Sequence, residues 1–129
     1  MLPTFAAIAR WARAHGVACN VEIKPTPGRE RETGAAVALD ASSLWRDAEV
    51  PPLLSSFSES ALEGAHEAAP DLPRALLCTT LPPDWLASCH ALGCVAIDPH
   101  HLSLDEDMID EAHASGLRVM TYTVHDPDR

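Results

Sequence analysis

Asn20-Val21-Glu22-Ile23-Lys24-Pro25 decides how this chain is read. The run looks like a buried strand, yet it carries a carboxylate and an ammonium two residues apart. Side chains alternate faces along a strand, so Asn20, Glu22 and Lys24 share one face while Val17, Cys19, Val21 and Ile23 share the other. An apolar back with a charged front near the C-terminal end of a strand points to a site. A buried carboxylate costs roughly several kcal/mol unless a cation or metal pairs with it. Lys24 alone is an awkward partner, so Glu22 is expected to need another.

Outward from this strand, one local pattern recurs three times. Ala14-His15-Gly16 precedes Val17–Ile23, Ala91-Leu92-Gly93 precedes Cys94–Asp98, and Ala114-Ser115-Gly116 precedes Leu117–Val124. Each reads as a helix end, a glycine able to take the left-handed conformation, and then a strand. Helices are expected over residues 4–15, 30–46, 59–69, 84–92 and 105–115. Phe5, Ile8, Trp11 and Ala12 form an apolar stripe on the first, and Val37, Ala41, Leu44 and Trp45 lie on the second. Trp11, Trp45 and Trp85 read as packing residues. Ser58 is a good N-cap, and Asp105-Glu106-Asp107 suits a helix N-terminus. Two more strands are expected at Leu53–Phe57 and Arg74–Cys78.

Alternation of helices and strands implies a mainly parallel sheet with helices outside it. Either an open doubly wound sheet or a (β/α)8 barrel satisfies that pattern. No G-x-G-x-x-G or P-loop follows a strand, which removes the usual nucleotide-binding reason for an open sheet. Polar residues gather at strand C-termini: Glu22 and Lys24, Ser55 and Ser56, Asp98 and His100, Thr121 and Thr123. In a barrel that end is the active-site face, and a whole barrel takes about 250 residues. With 129 residues the chain is one domain and about half of such a barrel.

Composition narrows the partners. Nine basic residues stand against 19 acidic ones, for a net charge of −10. Without a basic stripe, nucleic acid and an anionic membrane surface are not expected partners. No apolar run nears the roughly 20 residues that cross a bilayer, and no signal-peptide pattern opens the chain. Cys19, Cys78, Cys89 and Cys94 include no CxxC pair. Cys89 and Cys94 flank His90, but at a spacing unusual for zinc. A reducing, cytoplasmic setting fits these thiols best.

Taken in order, NVEIKPTPG, PPLLSSF, AAPDLPRALL, LGCVAID and GLRVMTYTV resemble the glycerophosphodiester phosphodiesterase family, in particular its small cytoplasmic bacterial members. The likeness runs from about Pro3 to Arg129. It implies a TIM-type barrel that hydrolyses glycerophosphodiesters to glycerol 3-phosphate and an alcohol with one divalent cation, Mg²⁺ or Ca²⁺. It further implies Glu22 as one of three acidic metal ligands, Lys24 against the phosphate, and Phe57 and Tyr122 lining the substrate pocket.

The chain also departs from the family pattern. The H-R-G, E-x-D and H-D motifs that supply two histidines and two carboxylates do not precede the Glu22 strand, and His125 stands where the family usually has Asn. The expectation is therefore a partial barrel lacking its N-terminal strands and last strand: an internal fragment, inactive alone. The alternative is a non-catalytic half-barrel that self-associates, or pairs with a complementary half, through exposed barrel edges. At Asp98, His100 and His101 the simpler reading is a polar strand end with a solvated histidine pair. Ser56 has no general base beside it in sequence, so no nucleophile is assigned.

Overall fold

A computed structural model of the chain describes residues 2–124. His125 lies outside the described residues. Among the described residues five α-helices and five strands alternate: α1 (Phe5–Ala14), β1 (Asn20–Glu22), α2 (Glu30–Leu44), β2 (Leu53–Ser56), α3 (Glu59–Ala68), β3 (Arg74–Cys78), α4 (Trp85–Ala91), β4 (Ala96–Pro99), α5 (Glu106–Ala114) and β5 (Arg118–Val119), with a 3-10 turn at His101–Ser103 between β4 and α5. Thr4, Ser58 and Asp105 cap α1, α3 and α5, each accepting a bond from a backbone N–H in the first turn. Gly16, Gly93 and Gly116 take φ of 64°, 64° and 80° between a helix and the next strand. Only a residue without a β-carbon adopts that turn freely, which explains why the same tripeptide pattern recurs.

All four strand pairings are parallel, and the sheet order is β1-β2-β3-β4-β5. This order separates the two closures that the sequence allowed. A doubly wound sheet reverses its strand order at a switch point; here the order never reverses. Right-handed crossovers without a reversal put successive helices on one face of the sheet and leave the other face free. The fold is a partial (β/α)8-type barrel.

Register then sorts side chains by face. Glu22 pairs with Ser55, Ser55 with Ala75, Ala75 with Ala96, and Leu77 with Asp98. Neighbours in register point the same way, so Asn20, Glu22, Ser55, Phe57, Leu77 and Asp98 share the concave face. Ile23, Leu54, Leu76 and Ile97 share the other face and are buried against the helices. Burial of each such side chain stabilises the fold by about 1.5–3 kcal/mol. Leu62 and Trp85, together with Cys89 and Met108, close one part of this core, while Ala38, Ala41 and Trp45 close the other.

Arg74, at the start of β3, is buried at 4% exposure without a carboxylate. Its guanidinium instead donates to the carbonyls of Leu72 (2.7 Å), Gly93 (3.0 Å), Leu92 (3.2 Å) and Pro70 (3.3 Å). Burial lowers its pKa from the ordinary arginine value. The side chain ties the α4–β4 turn to the foot of β3.

Three expectations need correction. β1 is an edge strand of three residues, shorter than 17–23, and β5 proper is two residues, extended by a single bridge from Tyr122 to His100. Glu22 is not buried; its side chain keeps 35% exposure. On α1 the buried residues are Ala9 and Ala12, whereas Ile8 and Trp11 are 46% and 57% exposed. The small alanines let α1 lie close to its neighbours, Phe5 packs against Trp45, and Ile8 and Trp11 turn outward. Trp11 stacks on His15 rather than entering the core.

Candidate functional site

At the C-terminal ends of the strands the concave face forms a cleft of about 380 Å³, lined by Asn20, Glu22, Ser55, Phe57, Leu77, Asp98 and Tyr122. Four strands and the segment after β5 each place a group there through the two-residue period of a strand. Three of the four residues expected from sequence (Glu22, Phe57 and Tyr122) meet in this cleft. The fourth, Lys24, does not line it and is exposed beside Glu22.

Glu22 and Lys24 point the same way past the end of β1, with Nζ 3.6 Å from Oε2 and exposures of 86% for the lysine and 35% for the glutamate. An ion pair this exposed stabilises by about 0–1 kcal/mol, so both charges remain open to a ligand. Beside them, the Ser55 hydroxyl donates to Asn20 Oδ1 at 2.7 Å and fixes the amide orientation.

The aromatic wall is built across the sheet. The rings of Phe57 and Tyr122 meet edge to face, centroids 5.9 Å apart at 88°. Tyr122 also meets His100 edge-on at 5.5 Å, and its hydroxyl donates to the Cys78 carbonyl at 3.0 Å. Tyr122 is thereby held by its tip and one edge, leaving its ring as a rigid wall. Phe57 is half exposed.

At Asp98 the polar strand end expected from the sequence is buried. It is 4% exposed, and its Oδ1 is buried without a hydrogen-bond partner among the described residues. Burial, and secondarily the negative charge of Glu22, raises its pKa above the usual carboxylate value. The parity of β4 was legible in the sequence, since Asp98 is two residues from Ala96. Its burial was not, because that depends on Leu77 and Tyr122 from other segments. Ser56 faces the other way: its hydroxyl donates to the Ile23 carbonyl at 2.8 Å and accepts from the Ser58 N–H, a structural latch between β1, β2 and α3.

The thiols lie outside the cleft lining. Cys78 is buried and its pKa is pushed up to about 11, by burial first and then by Cys89 and Asp98. Such a thiol is a poor nucleophile at neutral pH.

Chemically, the cleft offers one open carboxylate, one ammonium, an aromatic wall and one buried carboxylate. A divalent cation takes six or more oxygen ligands, and the described residues contain no group of three His, Cys, Asp or Glu side chains able to hold one. Glu22 can be one ligand of a cation but does not make a site for it.

The sequence model of the glycerophosphoryl diester phosphodiesterase family matches residues 1–129. A phosphodiesterase from Oleispira antarctica, solved in complex with the product sn-glycerol-3-phosphate, superposes with a TM-score of 0.84 at 27% identity, over 96% of this chain and 50% of its own. A glycerophosphodiester phosphodiesterase from Parabacteroides distasonis shares the fold with a TM-score of 0.77 at 21% identity, over 98% of this chain and 53% of its own. The chain thus spans about half the length of these solved structures. No curated protein matches it.

Proposed function

The chain belongs to the glycerophosphoryl diester phosphodiesterase family, and on that premise we propose that its cleft is the glycerol-and-phosphate side of a site that hydrolyses glycerophosphodiesters to sn-glycerol 3-phosphate and an alcohol. One observation carries the reading: Glu22, ion-paired with Lys24, and the Phe57–Tyr122 ring pair, far apart in sequence, line the same cleft.

Lys24 supplies a compact, mobile positive charge to the phosphate oxygens. Phe57 and Tyr122 flank the three-carbon chain and exclude water from it. Were the divalent cation that the family uses, Mg²⁺ or Ca²⁺, bound here, Glu22 would supply one of its oxygen ligands. General acid–base help is worth about 10²–10⁴-fold, and no histidine lines the cleft among the described residues. The 129 residues by themselves are therefore expected to bind and not to turn over. A reducing, cytoplasmic compartment suits the four free thiols. Among the described residues, no helix is long and apolar enough to cross a membrane.

Two measurements test this. Titration of the chain with sn-glycerol 3-phosphate in excess Mg²⁺ is expected to shift the NMR resonances of Phe57 and Tyr122. Incubation with glycerophosphocholine and Mg²⁺ is expected to release no product. Absence of binding would remove the reading, and turnover at whole-enzyme rates would remove the claim that the chain is inactive alone.

A second reading, a half-barrel that pairs with itself or with a complementary half, is favoured by the open edges of β1 and β5 and by exposed Ile8, Trp11 and Val17. Sedimentation velocity is the test: a dimer supports it, and a stable monomer counts against it.

A further inference from the structure

We infer that Asp98 is the specificity-determining residue of the cleft, accepting hydrogen bonds from the vicinal hydroxyls of the glycerol moiety while Lys24 takes the phosphate at the opposite end. This rests on the functional reading above and names a group that the reading leaves idle.

Three observations converge. Asp98 lines the same cleft as Phe57 and Tyr122, and Leu77 is its neighbour in register. It is 4% exposed, and Oδ1 has no donor among the described residues. It sits on β4, three strands across the sheet from the β1 that carries Glu22. A buried polar atom without a partner is costly, and the fold gives no return for this one. Every other buried polar side chain on the sheet is spoken for: Ser55 by Asn20, Ser56 by Ile23, Arg74 by four carbonyls. A ligand with hydroxyl donors would complete Asp98.

The chemistry also fixes orientation. An ionised carboxylate only accepts hydrogen bonds, and its two oxygens suit two adjacent hydroxyls. It repels phosphate oxygens, which carry the same charge and are likewise acceptors. Lys24 has the opposite preference. A glycerol phosphate therefore fits one way round, polyol toward β4 and phosphate toward β1, and an alkyl phosphate without hydroxyls leaves Asp98 unpaired. Sites built around such a polar group discriminate strongly against analogues that lack its partner.

Titration of the chain in excess Mg²⁺ with sn-glycerol 3-phosphate and, separately, with n-propyl phosphate tests the inference. Glycerol phosphate is expected to bind about tenfold more tightly, as hydrogen bonds to a charged group imply. Asp98→Ala is expected to bring the two to equal affinity by weakening glycerol phosphate alone. Asp98→Asn keeps one acceptor oxygen and is expected to leave a preference of about threefold; it decides the matter if the alanine variant does not fold. Equal affinities in the unsubstituted chain, or a preference that survives both substitutions, would overturn the role of Asp98 and leave the phosphate reading standing. If neither phosphate binds, the functional reading itself falls, and this inference with it.

Discussion

Gly34 on α2 lies so close to Ala61 on α3 that a β-carbon on the glycine would overlap the Ala61 carbonyl oxygen. The relation is reciprocal, because a β-carbon on Gly64 of α3 would overlap the Arg31 carbonyl of α2. The two helices touch backbone to backbone. Arg31 then reaches across from α2 to Glu63 at 2.7 Å and to Glu67. Gly34→Ala must push the helices apart and is expected to destabilise the chain by about 2–3 kcal/mol, as overpacking does. Urea unfolding followed by circular dichroism measures it, with Ala36→Gly on the exposed side of α2 as the comparison, expected to cost no more than about 1 kcal/mol.

Arg74 and Gly93 form a second structural pair. A β-carbon on Gly93 would stand 2.9 Å from Arg74 Nη2 and 3.0 Å from His66 Cε1, at a φ of 64° that side chains rarely adopt. Arg74→Met keeps the length but strips four carbonyls of their donor. We expect a loss of about 2–4 kcal/mol, from unmet buried acceptors, read as a lower urea midpoint at unchanged slope.

Tyr122→Phe isolates the contribution of the hydroxyl that donates to the Cys78 carbonyl. The ring contacts with Phe57 and His100 remain possible, so the expected cost is about 1 kcal/mol. Tyr122→Ala removes the wall as well and should also abolish glycerol phosphate binding. A titration in which Tyr122→Ala still binds as well as the unsubstituted chain would contradict the wall role.

Lys24→Ala separates binding from stability. The ion pair with Glu22 is exposed, so the unfolding midpoint should hardly move, by less than about 0.5 kcal/mol. Affinity for sn-glycerol 3-phosphate should fall about tenfold at low ionic strength, with a smaller difference at high salt as the charge is screened.

Asp98 has a consequence for pH. Its folded pKa lies above its ordinary value of 3.8 because of burial and then Glu22. Between 3.8 and the raised value the folded state holds more proton than the unfolded state, so stability contributed by this group falls as pH rises through that window. Above it the ionised group is a constant penalty. Asp98→Asn should therefore stabilise the ligand-free chain by about 1 kcal/mol at pH 7, with the difference vanishing well below pH 3.8. Parallel unfolding curves for the two proteins across pH 3–7 give the comparison; a constant difference would contradict the linkage.

Much of the fold was legible because its signals are local. Three glycine-closed helix ends, the N-cap at Ser58, the acidic helix start at Asp105-Glu106-Asp107, and the parity that puts Asn20 and Glu22 together all depend on near neighbours in the chain. The helices fall within about two residues of their expected limits for that reason. The outward turn of Ile8 and Trp11 was not legible. An apolar stripe says that a face exists, whereas the close approach that favours Ala9 and Ala12 comes from other segments.

Of the site, the sequence determined which residues carry charge and which face of each strand they occupy: Glu22 with Lys24, Phe57 above Ser55, Asp98 above Ala96. Strand periodicity alone settles those relations. Tertiary structure decided what those residues meet. An unreversed strand order brought β1, β2, β3 and β4 side by side, so that Phe57 reaches Tyr122 across 65 positions of chain and Asp98 is nearly buried in the cleft wall while Glu22 stays open. Burial and partnership are sums over segments that only crossover connections bring together.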